Sequence, residues 1–272
     1  MPLYMKLNAL QDMIRSMDNL AIAFSGGVDS TFLLKVAHDL LGDRVVAVTA
    51  ASPTFPKREF KEAADFVNKF GVKQLVIDTK ELDIEGFIDN PINRCYLCKR
   101  ELFSKIIETS RQNKIKLVAD GSNFDDINDY RPGLKALTEL GVISPLREVG
   151  MTKEDVRALS RDLNLPTWDK PAFACLASRI PYGQKISREK LSMVDKAEQY
   201  LLDRGFGQIR VRHHGDIARI EVSPQERARF MDEKLMDEVE EEFHRIGFAY
   251  TALDLKGYRT GSMNENIMKR NE

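Results

Sequence analysis

The chain has 272 residues, and at about 100–200 residues per domain it holds one large domain or two unequal ones. Hydrophobic residues make up 43% and charged residues 31%, a globular balance that builds a core without disulfide or metal. Lys and Arg number 41 and Asp and Glu 42, a net charge of -1 that argues against a strongly basic nucleic-acid binder and against a polyanionic tail.

Hydrophobic patterning then gives the elements in chain order. Met1 to Met17 carries several methionines on an apolar face, which reads as core. Leu20–Phe24 is a short apolar run entering Ser25-Gly26-Gly27, a buried strand leading into a turn. Helical periodicity follows from Thr31 to Leu41, with Phe32, Leu33, Val36, Ala37, Leu40 and Leu41 on one face. Arg44–Thr49, Gln74–Ile77 and Ile115–Ala119 read as strands. Pro56–Phe70 and Tyr96–Asn113 read as helices, and Thr152-Lys-Glu-Asp155 opens another with a capping-box pattern. Apolar strands separated by helices indicate an α/β fold, a parallel sheet covered on both faces over residues 1–165.

Residues 166–187 break the rhythm. Pro166, Pro171, Pro181 and Gly183 exclude a regular element, so this is a long connection. Beyond it the periods change to a helix over Arg188–Arg204, paired strands over Gln208–Arg212 and Ala218–Val222, a helix over Pro224–Arg245 and a strand over Phe248–Leu255. Residues 188–256 are thus expected to form a second, smaller α+β domain, and 257–272 a fraying tail. No run of 18 apolar residues occurs, so no membrane span is expected, and Met1–Leu10 lacks the apolar stretch of a secretory signal. With an odd count of three cysteines, the expectation is a cytoplasmic, reducing location.

The strongest chemical signal is Ser25-Gly26-Gly27-Val28-Asp29-Ser30, between a strand and a helix. Two glycines let backbone approach a ligand, and the helix start offers N–H groups and a positive dipole end to phosphate. Ser25 and Ser30 add hydroxyl donors, and Asp29 can hold the loop or a metal ion. No Gly-Lys-Ser/Thr follows, so this is not a Walker A loop. A second string, Asp120-Gly-Ser-Asn-Phe-Asp-Asp-Ile-Asn-Asp-Tyr-Arg-Pro-Gly133, follows a strand end with oxygen-rich side chains, where open α/β sheets bind ligands. Cys95-Tyr-Leu-Cys98 and the remote Cys175 leave several readings open: a zinc site, a redox dithiol, an iron–sulfur site, or small residues on a helix. The four histidines show no zinc-type spacing with the pair. Three cysteinates on a four-iron cluster leave one iron open to exogenous sulfide.

Ser25–Ser30 resembles the PP-loop of the ATP pyrophosphatase superfamily, which includes GMP synthetase, NAD synthetase and tRNA thiolases. That resemblance implies an adenine nucleotide alpha hydrolase-like domain in which the loop holds the departing pyrophosphate of ATP. Adenylated oxygen is then displaced by nitrogen or sulfur. It makes Ser25, Gly26, Gly27, Asp29, Ser30 and Gly121 candidates for binding ATP with Mg2+. Three strings in order, Ser25–Ser30, Asn123 through Asp129-Tyr-Arg-Pro-Gly133, and Lys170-Pro-Ala-Phe-Ala-Cys-Leu-Ala-Ser-Arg-Ile-Pro-Tyr-Gly183, resemble the LarE family from about residue 5 to residue 262. LarE proteins are sulfur transferases that mature the nickel-pincer nucleotide cofactor of lactate racemase.

The LarE resemblance implies adenylation of pyridinium-3,5-biscarboxylic acid mononucleotide and replacement of carboxylate oxygen by sulfur. In single-cysteine members the cysteine matching Cys175 gives up its own sulfur. Cys95 and Cys98 depart from that pattern and favour a [4Fe-4S] cluster held by Cys95, Cys98 and Cys175. Arg179, Arg210 and Arg212 are candidates for the substrate phosphate; Arg179 could also lower the Cys175 thiol pKa, and Arg210 and Arg212 share one strand face. Arg212 and Glu198 are further catalytic candidates by resemblance. The implied partners are the nucleotide substrate, a sulfide or other sulfur donor, and further copies in a homo-oligomer. A tRNA thiolase also pairs a PP-loop with three cysteines, but the -1 charge and the absence of a basic stripe argue against it. A non-enzymatic cluster carrier would not need the intact loop, and an ammonia-using amidotransferase would need a glutaminase portion.

Overall fold

A computed structural model describes residues 1–128, 132–171 and 174–259. Asp129–Arg131 of the second string, Ala172 and Phe173 of the cysteine string, and the tail from residue 260 lie outside the described residues. Two compact units are present, Met1–Ile84 with Asn93–Phe173, and Glu85–Ile92 with Ala174–Glu272. The chain changes unit inside the proline-rich 166–187 stretch.

The first unit is α/β. Helix α1 (Leu3–Arg15) buries Leu10 and Ile14. Met13 and Met17 join its core, whereas Met1 and Met5 are exposed, so only the end of the methionine face is interior. Strand β1 (Leu20–Ala23) buries Leu20, Ala21 and Ile22 completely. Helix α2 (Val28–Leu41) packs on α1 and the sheet, with Phe32, Leu33, Leu34, Val36 and Ala37 buried. Next come β2 (Val45–Ala51), α3 (Lys57–Phe70), β3 (Lys73–Asp78), α4 (Arg94–Gln112) and β4 (Val118–Ala119). The unit closes with α5 (Pro132–Glu139), the short α6 (Pro145–Glu148) and α7 (Lys153–Asp162).

The strands form one parallel sheet in the order β3-β2-β1-β4, with Leu20 opposite Val45 and Ala21 opposite Val118. The order reverses between β1 and β4, and a crevice at such a switch point is where open α/β sheets take ligands. Strand β4 is shorter than the apolar run Ile115–Ala119. Lys114 turns with φ 61° and the Ile115 amide donates to the Ser110 carbonyl at 2.9 Å, so the start of the run serves as the helix stop. The α7 capping box forms as its spacing implies: Thr152 Oγ1 accepts from the Asp155 amide, and the Asp155 carboxylate accepts from the Thr152 amide.

The second unit holds a short 3-10 turn at Leu176–Arg179, α8 (Arg188–Asp203), β5 (Ile209–His214), β6 (Ile217–Val222), α9 (Glu233–Ile246) and β7 (Tyr250–Leu253). Its sheet runs β5-β6-β7, antiparallel then parallel, over a core of Leu201, Phe206, Ile209, Val211, Phe243 and Phe248. Residues 85–92 belong here because the Asn90 side chain donates to the carbonyls of Ile180 at 3.1 Å and Pro181 at 2.8 Å. The helix expected over Pro224–Arg245 is divided. Arg227–Met231 is a 3-10 turn that buries Phe230 against Phe206, and Asp232 caps α9 by accepting from the Lys234 amide. Among the described residues, no helix is long and apolar enough to cross a membrane.

Candidate active site

The PP-loop connects β1 to α2 at the carboxyl end of the sheet. Gly26 takes φ 70°, a region costly for other residues, and a Cβ there would lie 3.1 Å from Ala63 Cβ. No side chain caps α2, so its first-turn N–H groups open into the loop. The hydroxyls of Ser25 and Ser30 lie 3.1 Å apart, and Ser30 also donates to the Gly27 carbonyl at 3.3 Å. The arrangement is a preformed ring of donors at a positive helix end, suited to a polyphosphate.

The loop after β4 lies against this ring. A Cβ on Gly121 would come within 2.9 Å of the Ser30 nitrogen, so glycine permits the close approach. Asp120 holds the loop by accepting from Ser144 Oγ at 2.6 Å and from the Ser122 hydroxyl. Asn123 donates to the Asp29 carboxylate at 3.2 Å. The 120s string and the PP-loop are thereby one constellation.

Two lysines complete it that motif reading did not single out. Lys153, at the start of α7, forms an ion pair with Asp29. Lys170 donates to the Gly26 carbonyl at 3.2 Å and pairs with Glu59 at 2.7 Å and Glu62 at 2.6 Å. Lys170 opens the string that carries Cys175, and that is the one sequence signal it had.

Cys95 and Cys98 lie in the first two turns of α4, half-buried, about one turn apart on the helix. Cys175, also half-buried, precedes the 3-10 turn of the second unit, and none of the three is in a disulfide. No group of three or more His, Cys, Asp or Glu side chains gathers into a metal site among the described residues. The donor chemistry still fits an iron–sulfur cluster, since the three cysteines are unpaired by disulfides and only half-buried, and thiolates are its usual ligands.

Around Cys175 the second unit assembles the remaining candidates. Arg179 and Glu198 are both 0% exposed and pair through two bonds, Nε to Oε1 at 2.8 Å and Nη2 to Oε2 at 2.9 Å. Burial pushes Glu198 up, but the Arg179 charge and hydrogen bonds, the Arg210 charge and the Val211 amide outweigh it and hold the carboxyl below its usual range. Burial pulls Arg179 down, and Glu198 more than restores it. Arg210 is pulled down to about 10, first by burial and then by Arg179. Its guanidinium lies 4.9 Å from the Tyr258 ring centroid.

Arg212 donates to the Ser178 carbonyl at 2.9 Å and to Glu221 at 2.8 Å, and Glu221 also takes Arg219 at 2.9 Å. Both faces of β5 are buried, so Arg210 and Arg212 lie within the fold rather than on a solvated strand face. Glu221 and Arg219, absent from the sequence reading, alternate on β6 like any polar strand face and carried no distinguishing signal.

Comparison with known proteins places this geometry in a family. The NAD synthase family matches residues 7–94, which include the PP-loop. An uncharacterized protein of Synechocystis is 42% identical over 97% of this chain and 98% of its own length. The pyridinium-3,5-bisthiocarboxylic acid mononucleotide synthase of Lactiplantibacillus plantarum is 38% identical over 94% of this chain and 92% of its own length. An uncharacterized protein of Methanocaldococcus jannaschii is 28% identical over 89% of this chain and 91% of its own length. The chain belongs to the LarE family of PP-loop sulfurtransferases, that of the pyridinium-3,5-bisthiocarboxylic acid mononucleotide synthases.

Proposed function

We propose that this protein uses ATP to adenylate the carboxylates of pyridinium-3,5-biscarboxylic acid mononucleotide and replaces oxygen with sulfur to give thiocarboxylates. The observation that carries the ATP half is the uncapped α2 start behind Ser25–Ser30, with Gly121 packed on it. A substrate carboxylate oxygen attacks the α-phosphorus of ATP, forming an acyl–phosphate bond as the bond to pyrophosphate breaks. The first-turn N–H groups and the Ser25 and Ser30 hydroxyls stabilise the leaving pyrophosphate. Mg2+ would accompany the nucleotide, held by its phosphates and Asp29, and neutralise part of their charge. Asp29, which pairs with Lys153 in the free protein, is the carboxylate that would hold the cation.

Sulfur then attacks the acyl carbon, and AMP leaves with the electron pair of the acyl–oxygen bond. Arg210 and Arg212 supply buried positive charge for the phosphate of the mononucleotide. Cys95, Cys98 and Cys175 would hold a [4Fe-4S] cluster, which supplies an open iron for hydrosulfide. The presence of Cys95 and Cys98 favours this route over consumption of Cys175, because the pair has no role in a sacrificial scheme. Release of pyrophosphate tests the reading. It should require the biscarboxylate substrate and collapse in Asp29→Ala or Ser30→Ala; undiminished release in both variants contradicts the nucleotide placement.

A further inference from the structure

We infer that Arg179 and Glu198 are positioning residues, a buried brace that fixes the backbone of the Cys175 turn, rather than groups that touch the substrate. Arg179 is the largest fully buried side chain in the described chain. Two of its nitrogens are given to Glu198. The third, Nη1, reaches back to the Ala174 carbonyl at 2.5 Å, the Cys175 carbonyl at 3.1 Å and Ser178 Oγ at 3.0 Å. The Cys175 carbonyl also accepts from the Ser178 amide at 3.0 Å and the Ser178 hydroxyl at 2.8 Å. Glu198 Oε1 accepts in turn from the Val211 amide at 3.0 Å, between Arg210 and Arg212.

One guanidinium therefore ties the cysteine turn to α8 and, through Glu198, to the arginine strand β5. Glu198 presents its carboxylate to Arg179 and Val211 at 0% exposure, which leaves it badly placed to meet a ligand. The pair is electrically neutral as a unit, one carboxylate against one guanidinium. What it adds is rigidity: a fixed backbone at a half-buried Cys175.

The consequence for turnover rests on the proposed sulfur transfer; the brace itself does not, so alkylation separates the two. Iodoacetamide labelling of Cys175, read by peptide mass spectrometry without ATP or substrate, reports the freedom of the turn, with Cys95 and Cys98 as internal references. Arg179→Lys keeps the charge but lacks the planar fork. Labelling of Cys175 should accelerate by about tenfold or more, the scale of one lost charge-assisted hydrogen bond. Ser178→Ala removes the hydroxyl's bond to the Cys175 carbonyl and the one it accepts from Arg179, and an increase of at least about twofold is expected, the low end of the scale for one hydrogen bond. In turnover, Arg179→Lys should lower kcat with the substrate KM unchanged. Unchanged Cys175 labelling in Ser178→Ala and in Arg179→Lys overturns the brace, as does a raised KM with labelling at the wild-type rate. If Arg179→Lys does not fold, Ser178→Ala decides alone.

Discussion

Replacing Gly121 with Ala tests whether the loop after β4 belongs to the nucleotide site. The added carbon would lie 2.9 Å from the Ser30 nitrogen, 3.1 Å from Ser30 Cα and 3.3 Å from the Asp29 carbonyl carbon. Non-bonded carbons settle at about 3.5–4.0 Å, so the contact is short by about half an ångström. All three neighbours are backbone of the first turn of α2, which cannot rotate aside as a side chain can. Relief must come from parting the two loops, at about 1–3 kcal/mol of stability, the usual cost of overpacking. A misplacement of about 1 Å costs about 100-fold in rate, so half of that should lower kcat/KM for ATP about tenfold. Pyrophosphate release against ATP concentration measures it, with urea unfolding alongside. Gly133→Ala is the control: the three atoms nearest its Cβ all belong to the flexible Lys99 side chain, Cδ first at 2.6 Å, and not to backbone. Wild-type kinetics and stability in Gly121→Ala would refute the packing argument; equal damage in Gly133→Ala would remove its specificity.

Arg212→Lys should weaken substrate binding by about 1.5–3 kcal/mol, the scale of a charged hydrogen bond, and leave the KM for ATP unchanged. Lysine is preferred to alanine because Glu221 is completely buried and would otherwise keep Arg219 alone as its cationic partner. Equal loss for ATP and substrate would point to a folding defect. Burial, helped by Lys190, holds the His213 imidazole below its ordinary range, and burial with Arg219 does the same for His214. A histidine freed by unfolding titrates near about 6.5, so below that pH the unfolded chain binds more protons than the folded one. Stability is full above that pH and falls as pH drops through it; His213→Gln should flatten the fall in urea midpoints between neutral and mildly acidic pH, and an unaltered slope would refute the assignment. Intact mass after turnover should be unchanged in protein reconstituted with iron and sulfide, with more than one product per chain. Loss of one hydrogen sulfide from Cys175 would instead establish the sacrificial route.

The parts of the fold and site visible in the sequence are those set by local chemistry. Ser25–Ser30 is contiguous, so its strand–turn–helix setting and donor content can be read directly. The Thr152 cap is likewise a three-residue relation. Lys153 and Lys170 were illegible because their partners Asp29 and Gly26 lie 124 and 144 residues away, and a lysine that crosses such a distance looks like any surface lysine. The Arg212–Glu221 pair escaped for a related reason. Arg212 stands opposite Arg219 in the β5–β6 register and Glu221 opposite Arg210, so the pair is diagonal and depends on a register that only pairing defines. The division of the 224–245 helix could have been found, since Asp232 before Glu233-Lys234 is a helix-start signature that the longer apolar period obscured.

The central claim is that ATP energy is used to put sulfur in place of a carboxylate oxygen. The direct measurement is mass spectrometry of the mononucleotide after incubation of the anaerobically reconstituted protein with ATP, Mg2+, sulfide and pyridinium-3,5-biscarboxylic acid mononucleotide, with AMP quantified in the same sample. The account requires thiocarboxylate product, one AMP for each oxygen replaced, and none of either with Ser30→Ala. Pyrophosphate and AMP formed without any sulfur-bearing product, or sulfur incorporated without ATP, would contradict it.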